Sequence, residues 1–242
     1  MSFYHILLSD AAKTRFPDNH AAKFSIPIDD AQQLSGEWEV AIAQLVYSNC
    51  LYTFNGEVIT IAEKRKSADQ TKTKVLSPHI IKSVQDAIDY LNEVTNDKRI
   101  QFTAIENILS LTVGGKDITL TMDNTLRDIL GFDENTFKSG TVVQATAKIS
   151  LTRRINYFQI YSNIGVNVRV GDTQAPLLSM IPFNPKDCSI LSERHFKKLY
   201  YVDLKSNYIP QIDISIYDDA GMPIPFHKDA ITSLTLHFKR KT

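Results

Sequence analysis

Six histidines are the chain's best-placed groups for general-base or metal chemistry: His5, His20, His79, His195, His227 and His237. No two stand at His-x-x-x-His spacing, and none has a carboxylate at partner spacing. A metal site or a catalytic base needs such convergence, so each is read as a surface or edge histidine. Asp213, Asp218 and Asp219 suggest calcium at first sight. The run Asp-Asp-Ala-Gly-Met-Pro from Asp218 to Pro223 lacks the alternating oxygen ligands and closing Glu of a calcium loop, and reads as a turn. Gly114-Gly115-Lys116 lacks the second glycine and the following helix of a phosphate cradle, and reads as a hairpin turn. Glu63-Lys-Arg-Lys66 and Lys239-Arg-Lys241 are basic. They fit an import signal or a nucleic-acid contact, and equally a solvated loop and a chain end. There is no Gly-x-Ser-x-Gly, no Cys/His pair and no carboxylate dyad. The sequence predicts no enzyme: no catalytic residue, no cofactor and no bound metal.

Composition narrows the class further. In 242 residues, Lys plus Arg number 27 and Asp plus Glu number 27, for a formal charge of zero. A specific nucleic-acid binder carries a basic surplus, so none is expected as a partner. The two cysteines, Cys50 and Cys188, form neither a metal spacing nor a disulfide framework, as in a reducing interior. No apolar run approaches the roughly 18 residues a membrane span requires, and Met1 to Asp10 lacks the basic start of a secretory signal. A soluble intracellular product without a membrane span is expected.

The elements that would hold any site are mostly strands. Ile212, Ile214 and Ile216 alternate with polar residues, as do Leu234, Leu236 and Phe238; period-2 alternation marks half-buried strands. Asp218 to Gly221 offers turn chemistry between these runs, so the chain closes on two antiparallel strands. Phe24, Ile26 and Ile28 surround Pro27, which predicts an edge strand. Trp38 to Tyr47 predicts a long strand with a bulge. Leu51–Phe54 and Glu57–Ile61 flank Asn55-Gly56, a hairpin signal. Ala62 to Lys74 is polar throughout and reads as a solvated linker. Ile81, Val84, Ile88 and Leu91 form a helical stripe with Ser83 as N-cap. Residues 100–105, 108–113 and 116–121 read as a three-stranded meander. Asp123 then caps a short helix ending at Gly131. Strands resume at 141–151, 155–161, 166–170 and 175–181, followed by a Pro- and Lys-rich loop to about His195. About eight strands outside the α+β segment make a β-sandwich with an insertion. The domains predicted are 1–57 with 149–242 for the sandwich, and 58–148 for an inserted α+β domain.

Arg154-Ile-Asn-Tyr-Phe-Gln-Ile-Tyr-Ser-Asn163 and Val170-Gly-Asp-Thr-Gln-Ala-Pro-Leu-Leu178 carry a resemblance to a known family. It continues through Ile209–Ile214 and Asp218–Phe226 to Leu234–Arg240, and back to Phe16–Asn19 and Gly36–Ile42. In these runs the chain resembles the minor capsid, or penton, protein of Polinton/Maverick-type self-synthesising transposons and their adintovirus relatives. It is weakest across 62–148. The resemblance implies a mainly β fold, a single jelly-roll sandwich with the α+β lobe inserted. It implies a homopentamer at the five-fold vertices of an icosahedral capsid, beside a double jelly-roll major capsid protein. It also implies a place in the virion after assembly in the host cell, in the nucleus. A β-rich attachment or spike module is the alternative. Phe3, Tyr4, Ile6, Leu7 and Leu8 form an apolar run at the chain start. They are the candidate interface: either an arm reaching a neighbouring capsid protein, or an intrachain edge strand.

Overall fold

Strict alternation at both ends of the chain builds two sheets that share one apolar interior. The structure, a computed structural model, describes residues 1–65, 68–153, 155–183 and 191–241, with backbone alone for 29–32. The chain divides into two compact units, Met1–Leu51 with Ile155–Thr242, and Tyr52–Arg154. Along the first unit run β1 (Ser2–Leu8), β2 (Lys23–Gln33) and β3 (Trp38–Ser48). The second holds β4 (Val58–Glu63), β5 (Gln70–Val75), α1 (Val84–Thr95), β6 (Ile100–Ile105) and β7 (Ile108–Val113). It continues with β8 (Ile118–Met122), α2 (Asn124–Leu130), β9 (Thr136–Lys138) and β10 (Thr141–Gln144). The first unit resumes with β11 (Tyr157–Ser162), β12 (Val168–Val170), β13 (Thr173–Ala175) and β14 (Leu177–Pro182). It ends with β15 (Leu191–His195), β16 (Val202–Asp203), β17 (Tyr208–Tyr217) and β18 (Thr232–Arg240).

In the first unit one sheet has the order β1-β18-β3, with β15 and β16 both lying along β3; the other has the order β14-β11-β17-β2. All these pairings are antiparallel. Apart from β11 and β14, which are neighbours, each main strand crosses to the opposite sheet from the one before. The first strand thus pairs with the last, and the third with the last as well. This winding is the jelly-roll, two Greek keys folded over each other. Counting β15 and β16 as one interrupted strand gives its eight members, and the second unit enters between the third and fourth. Leu7, Val40, Leu45, Leu234 and Leu236 meet Phe24, Phe158, Ile212, Ile214 and Ile216 in one core. Tyr47 of β3 and Phe158 of β11 join edge to face, with centroids 4.9 Å apart. The bulge falls at Ala43: Thr235 pairs with Gln44, but Leu236 pairs with Ile42. The freed Ala43 carbonyl accepts from Phe196 N–H at 3.0 Å.

The second unit has its own core, among it Ile59, Leu91, Phe102, Leu111, Leu120 and Phe137. Its sheets are β5-β4-β8-β9 and β10-β7-β6. Ser83 Oγ accepts from Asp86 N–H at 3.1 Å to start α1. Asp123 caps α2 through Leu126 N–H at 2.7 Å and also receives Val58 N–H at 2.6 Å, fixing the helix to β4. Gly131 ends α2 at φ +84°, and a Cβ there would lie 2.2 Å from the Ala147 carbonyl oxygen, so only glycine fits. The unit is wider than the expected 58–148. Thr53 and Phe54 N–H both bond His79 O, and Thr53 Oγ1 donates to Leu151 O at 2.9 Å. Near its start and end, Glu57 and Arg153 form an ion pair at 2.5 Å, with the Glu57 side chain only 3% exposed.

Several local expectations give way to pairing that the sequence pattern does not encode. β17 and β18 do not pair; they lie in opposite sheets. Asn55-Gly56 makes no hairpin, because Leu51 bridges Phe226 while Phe54 bridges His79. The polar stretch read as a linker contains β5, an edge strand against β4. The meander breaks after β7: Gly115 (φ +83°) and Asp117 (φ +57°) swing the chain away, and β8 pairs with β4 instead. Residues 141–144 belong to the second unit, on β7. The loop expected before His195 ends in β15, which pairs along Gln44–Ser48 of β3.

Candidate interaction surface

The apolar run at the chain start is an intrachain edge strand, not a free arm: Ser2 to Leu8 pair residue for residue with Lys239 to Ser233 of β18. Alternation then splits the five candidate residues. Phe3 and Leu7 turn inward, Leu7 fully buried and Phe3 stacked on Phe238 at 4.8 Å. Tyr4, Ile6 and Leu8 turn outward, exposed by 63%, 63% and 46%. Among the described residues β1 has no neighbour on its other side. Its backbone follows the same division. Arg240 N–H bonds Met1 O and Ser9 N–H bonds Thr232 O. Hydrogen-bonded and non-bonded pairs alternate in an antiparallel ladder, so the odd residues between bond β18. The N–H and C=O groups of Ser2, Tyr4 and Ile6 point away from the sheet.

Beyond β1 the outer face of this sheet becomes polar. Thr235 Oγ1 donates to Gln44 Oε1 at 3.1 Å, and Gln44 Nε2 to Glu193 Oε1 at 2.5 Å. His195 Nε2 lies 2.7 Å from Glu193 Oε1. Next to β1, His237 stacks on Tyr4 at 4.4 Å and meets the Tyr201 hydroxyl through Nδ1 at 2.6 Å. Burial first, and then Lys239, push the His237 imidazole below its ordinary pKa. Burial does the same to His5, which lines a narrow gap between the sheets with Phe3, Ile28, Ile209, Ile212 and Phe238.

The groups singled out for chemistry stay apart. His79 stacks on Tyr90 in the second unit, at 4.5 Å. No cluster of three metal-ligating side chains occurs among the described residues. Asp218 accepts from Ala220 and Met222 N–H at 2.9 and 2.8 Å, a turn that holds its own backbone. Asp213 accepts from Ser25 Oγ at 2.7 Å. Cys188 and Lys66 lie outside the described residues. The His237–Tyr201 contact and the Thr235–Gln44–Glu193 ladder escaped the sequence reading. The alternation of Ser233, Thr235 and His237 marked an outward face, without showing which strands flank it.

No family model and no curated protein matches the chain. Among solved structures it is similar to the mavirus penton protein, at 12% identity and a TM-score of 0.48 over 99% of both chains. It also matches the flagellar cap protein FliD of Escherichia coli, at 11% identity and a TM-score of 0.24 over 90% of this chain and 55% of that one. No helix is long and apolar enough to cross a membrane among the described residues.

Proposed function

We propose that the chain is a structural capsid subunit of the penton type, closing as a homopentamer at five-fold vertices beside a double jelly-roll major capsid protein. The observation that carries this reading is the strand order, β1-β18-β3-β15/β16 over β2-β17-β11-β14. A jelly-roll hosts capsid, lectin and cupin functions alike, so the order alone does not choose. The resemblance of Arg154–Asn163 and Val170–Leu178 to penton proteins supports the capsid reading among them. Equal numbers of acidic and basic residues, 27 each, also suit like subunits that must meet without repulsion. A cupin enzyme gathers its histidines inside the sandwich. Here His195 and His237 sit on the outer face of one sheet, His79 lies in the other unit, and His5 lines the gap between the sheets with no second histidine beside it among the gap's lining residues.

Five-fold closure requires head-to-tail contacts between two different patches on each subunit. Electron microscopy of the chain mixed with a double jelly-roll major capsid protein tests the role. Closed shells with this chain at their vertices are expected. Shells that close equally well without it, or that exclude it, would overturn the proposal.

A further inference from the structure

We propose that Asn55 is a site of spontaneous deamidation, and that the fold gates the reaction by holding the Gly56 amide in a hydrogen bond. Asn55 is the only asparagine in the sequence followed by glycine. A glycine nitrogen has no side chain on its own residue to block its turn toward the asparagine side-chain carbonyl. The pair is also open to water. Both residues are exposed, and nothing lies within 4 Å of where a Cβ would sit on Gly56. In the reaction the Gly56 nitrogen gives up its proton and attacks Cγ of Asn55. The new N–C bond closes an imide ring, and the side-chain amide leaves as ammonia. Water then opens either imide carbonyl, which gives aspartate or isoaspartate at position 55. Water is consumed, ammonia is released, and nothing is oxidised or reduced.

The nucleophile is the guarded atom. Gly56 N–H donates to Leu76 O at 2.9 Å, and Leu76 N–H donates to Glu57 O at 2.7 Å. Thr53 and Phe54 N–H both reach His79 O, and His79 N–H reaches Phe54 O. Asn55 N–H is held by the buried Glu57 carboxylate at 2.6 Å. The reaction therefore waits for residues 53–57 to lift from 76–79, a local opening with its own free energy. The product undoes the same lacing. Isoaspartate adds a methylene to the main chain between the nitrogens of residues 55 and 56, so their two bonds no longer fit both acceptors together. Either product also brings a second carboxylate near that of Glu57, which is already paired with Arg153. Conversion is one-way and loosens the inserted unit. All these residues belong to that unit, so the inference stands apart from the capsid reading.

The test is peptide-mapping mass spectrometry of the full-length protein aged at pH 8, folded in one arm and held unfolded in guanidinium chloride in the other. In the unfolded arm Asn55 should convert before any other asparagine. In the folded arm it should convert about tenfold more slowly or less, the effect of roughly 1.4 kcal/mol of opening free energy. Asn55→Gln should remove the signal in both arms, because glutamine must close a larger ring. Hydrogen exchange reads the gate independently, and the Gly56 amide should be protected in the native protein. Arg153→Met loosens the unit without touching the pair, and should speed both conversion and exchange. Protein aged until most chains are converted should unfold its inserted unit at lower denaturant, with the jelly-roll step unmoved. Equal rates in the two arms, or an unprotected Gly56 amide, would overturn the gate. Another asparagine converting first in the unfolded arm would overturn the site. An unchanged midpoint in the aged protein would overturn the loosening.

Discussion

Two edge strands of this molecule are managed in opposite ways. β5, in the inserted unit, reads Gln-Thr-Lys-Thr-Lys-Val and, among the described residues, pairs only with β4. Its Lys72 and Lys74 stand opposite Ile61 and Ile59, on the face that those buried residues share. A guest strand beside β5 would have to bury those two charges, a common protection against unwanted pairing. β1, in the jelly-roll, has no such device: Ser-Phe-Tyr-His-Ile-Leu-Leu leaves its backbone and half its apolar side chains open. The same chain guards one edge and exposes the other. The contrast is one of charge: two lysines on the buried-residue face of β5, none on β1.

Core substitutions separate the units most sharply. Trp38 is 4% exposed, leans on Phe3 at 5.6 Å, and donates from Nε1 to Ser35 O at 3.0 Å. Trp38→Ala should cost about 3–5 kcal/mol in urea unfolding. Tryptophan is absent elsewhere in the chain, so the loss is followed by circular dichroism. An unfolding step of the inserted unit should remain where it was; a shift of both steps together would deny that the units are independent.

Next comes the ion pair near the ends of the inserted unit. Arg153→Met leaves the buried Glu57 carboxylate without its guanidinium, though Asn55 N–H still donates to it at 2.6 Å. A cost of about 3–5 kcal/mol is expected. Glu57→Gln with Arg153→Met should recover a good part of it in the same denaturation assay. A double variant as weak as the single one would mean the loss is packing rather than an uncompensated charge.

Acid should loosen the β1 side first. Burial holds His5 and His237 below the ordinary value of 6.5, so the unfolded chain takes up these protons before the folded one. Their contribution is complete above about pH 6.5 and is lost as pH falls toward the folded-state values. Melting of the jelly-roll should fall between pH 7 and pH 5, and His5→Gln with His237→Gln should flatten that slope. In the inserted unit the Arg99 guanidinium holds Asp97 down to about 2, so its dependence appears only at much lower pH. Identical slopes for both units would break the contrast. The smallest effect on stability is the edge exchange. Ile6→Lys on β1 and Lys72→Ile with Lys74→Val on β5 should each change unfolding by no more than about 0.5 kcal/mol. The β5 variant should nevertheless begin to self-associate in light scattering, and a β5 edge that stays monodisperse would count against charge as its protection.

How much of this was legible follows from what alternation encodes. Ile212, Ile214 and Ile216, or Leu234, Leu236 and Phe238, announce a strand and its buried face. They do not announce a partner, so β17 and β18 looked paired although they face each other across the core. Caps were readable because they are local: Ser83, Asp123 and Gly131 act within a few residues of themselves. β5 was unreadable because an edge strand with a charged face has no apolar alternation to show. Asn55-Gly56 carried the right turn chemistry, but Phe54 found His79 instead of a hairpin partner. For the candidate interaction surface, the five residues at the chain start could be named. Which of them face outward needed the register against β18, a pairing more than 220 residues distant in sequence.

The most direct test is the native mass of the purified full-length protein, by light scattering or native mass spectrometry. The account predicts a closed ring with five times the 27.4 kDa of one chain. A stable trimer, as an attachment module would form, or a monomer at every concentration tried, would contradict it.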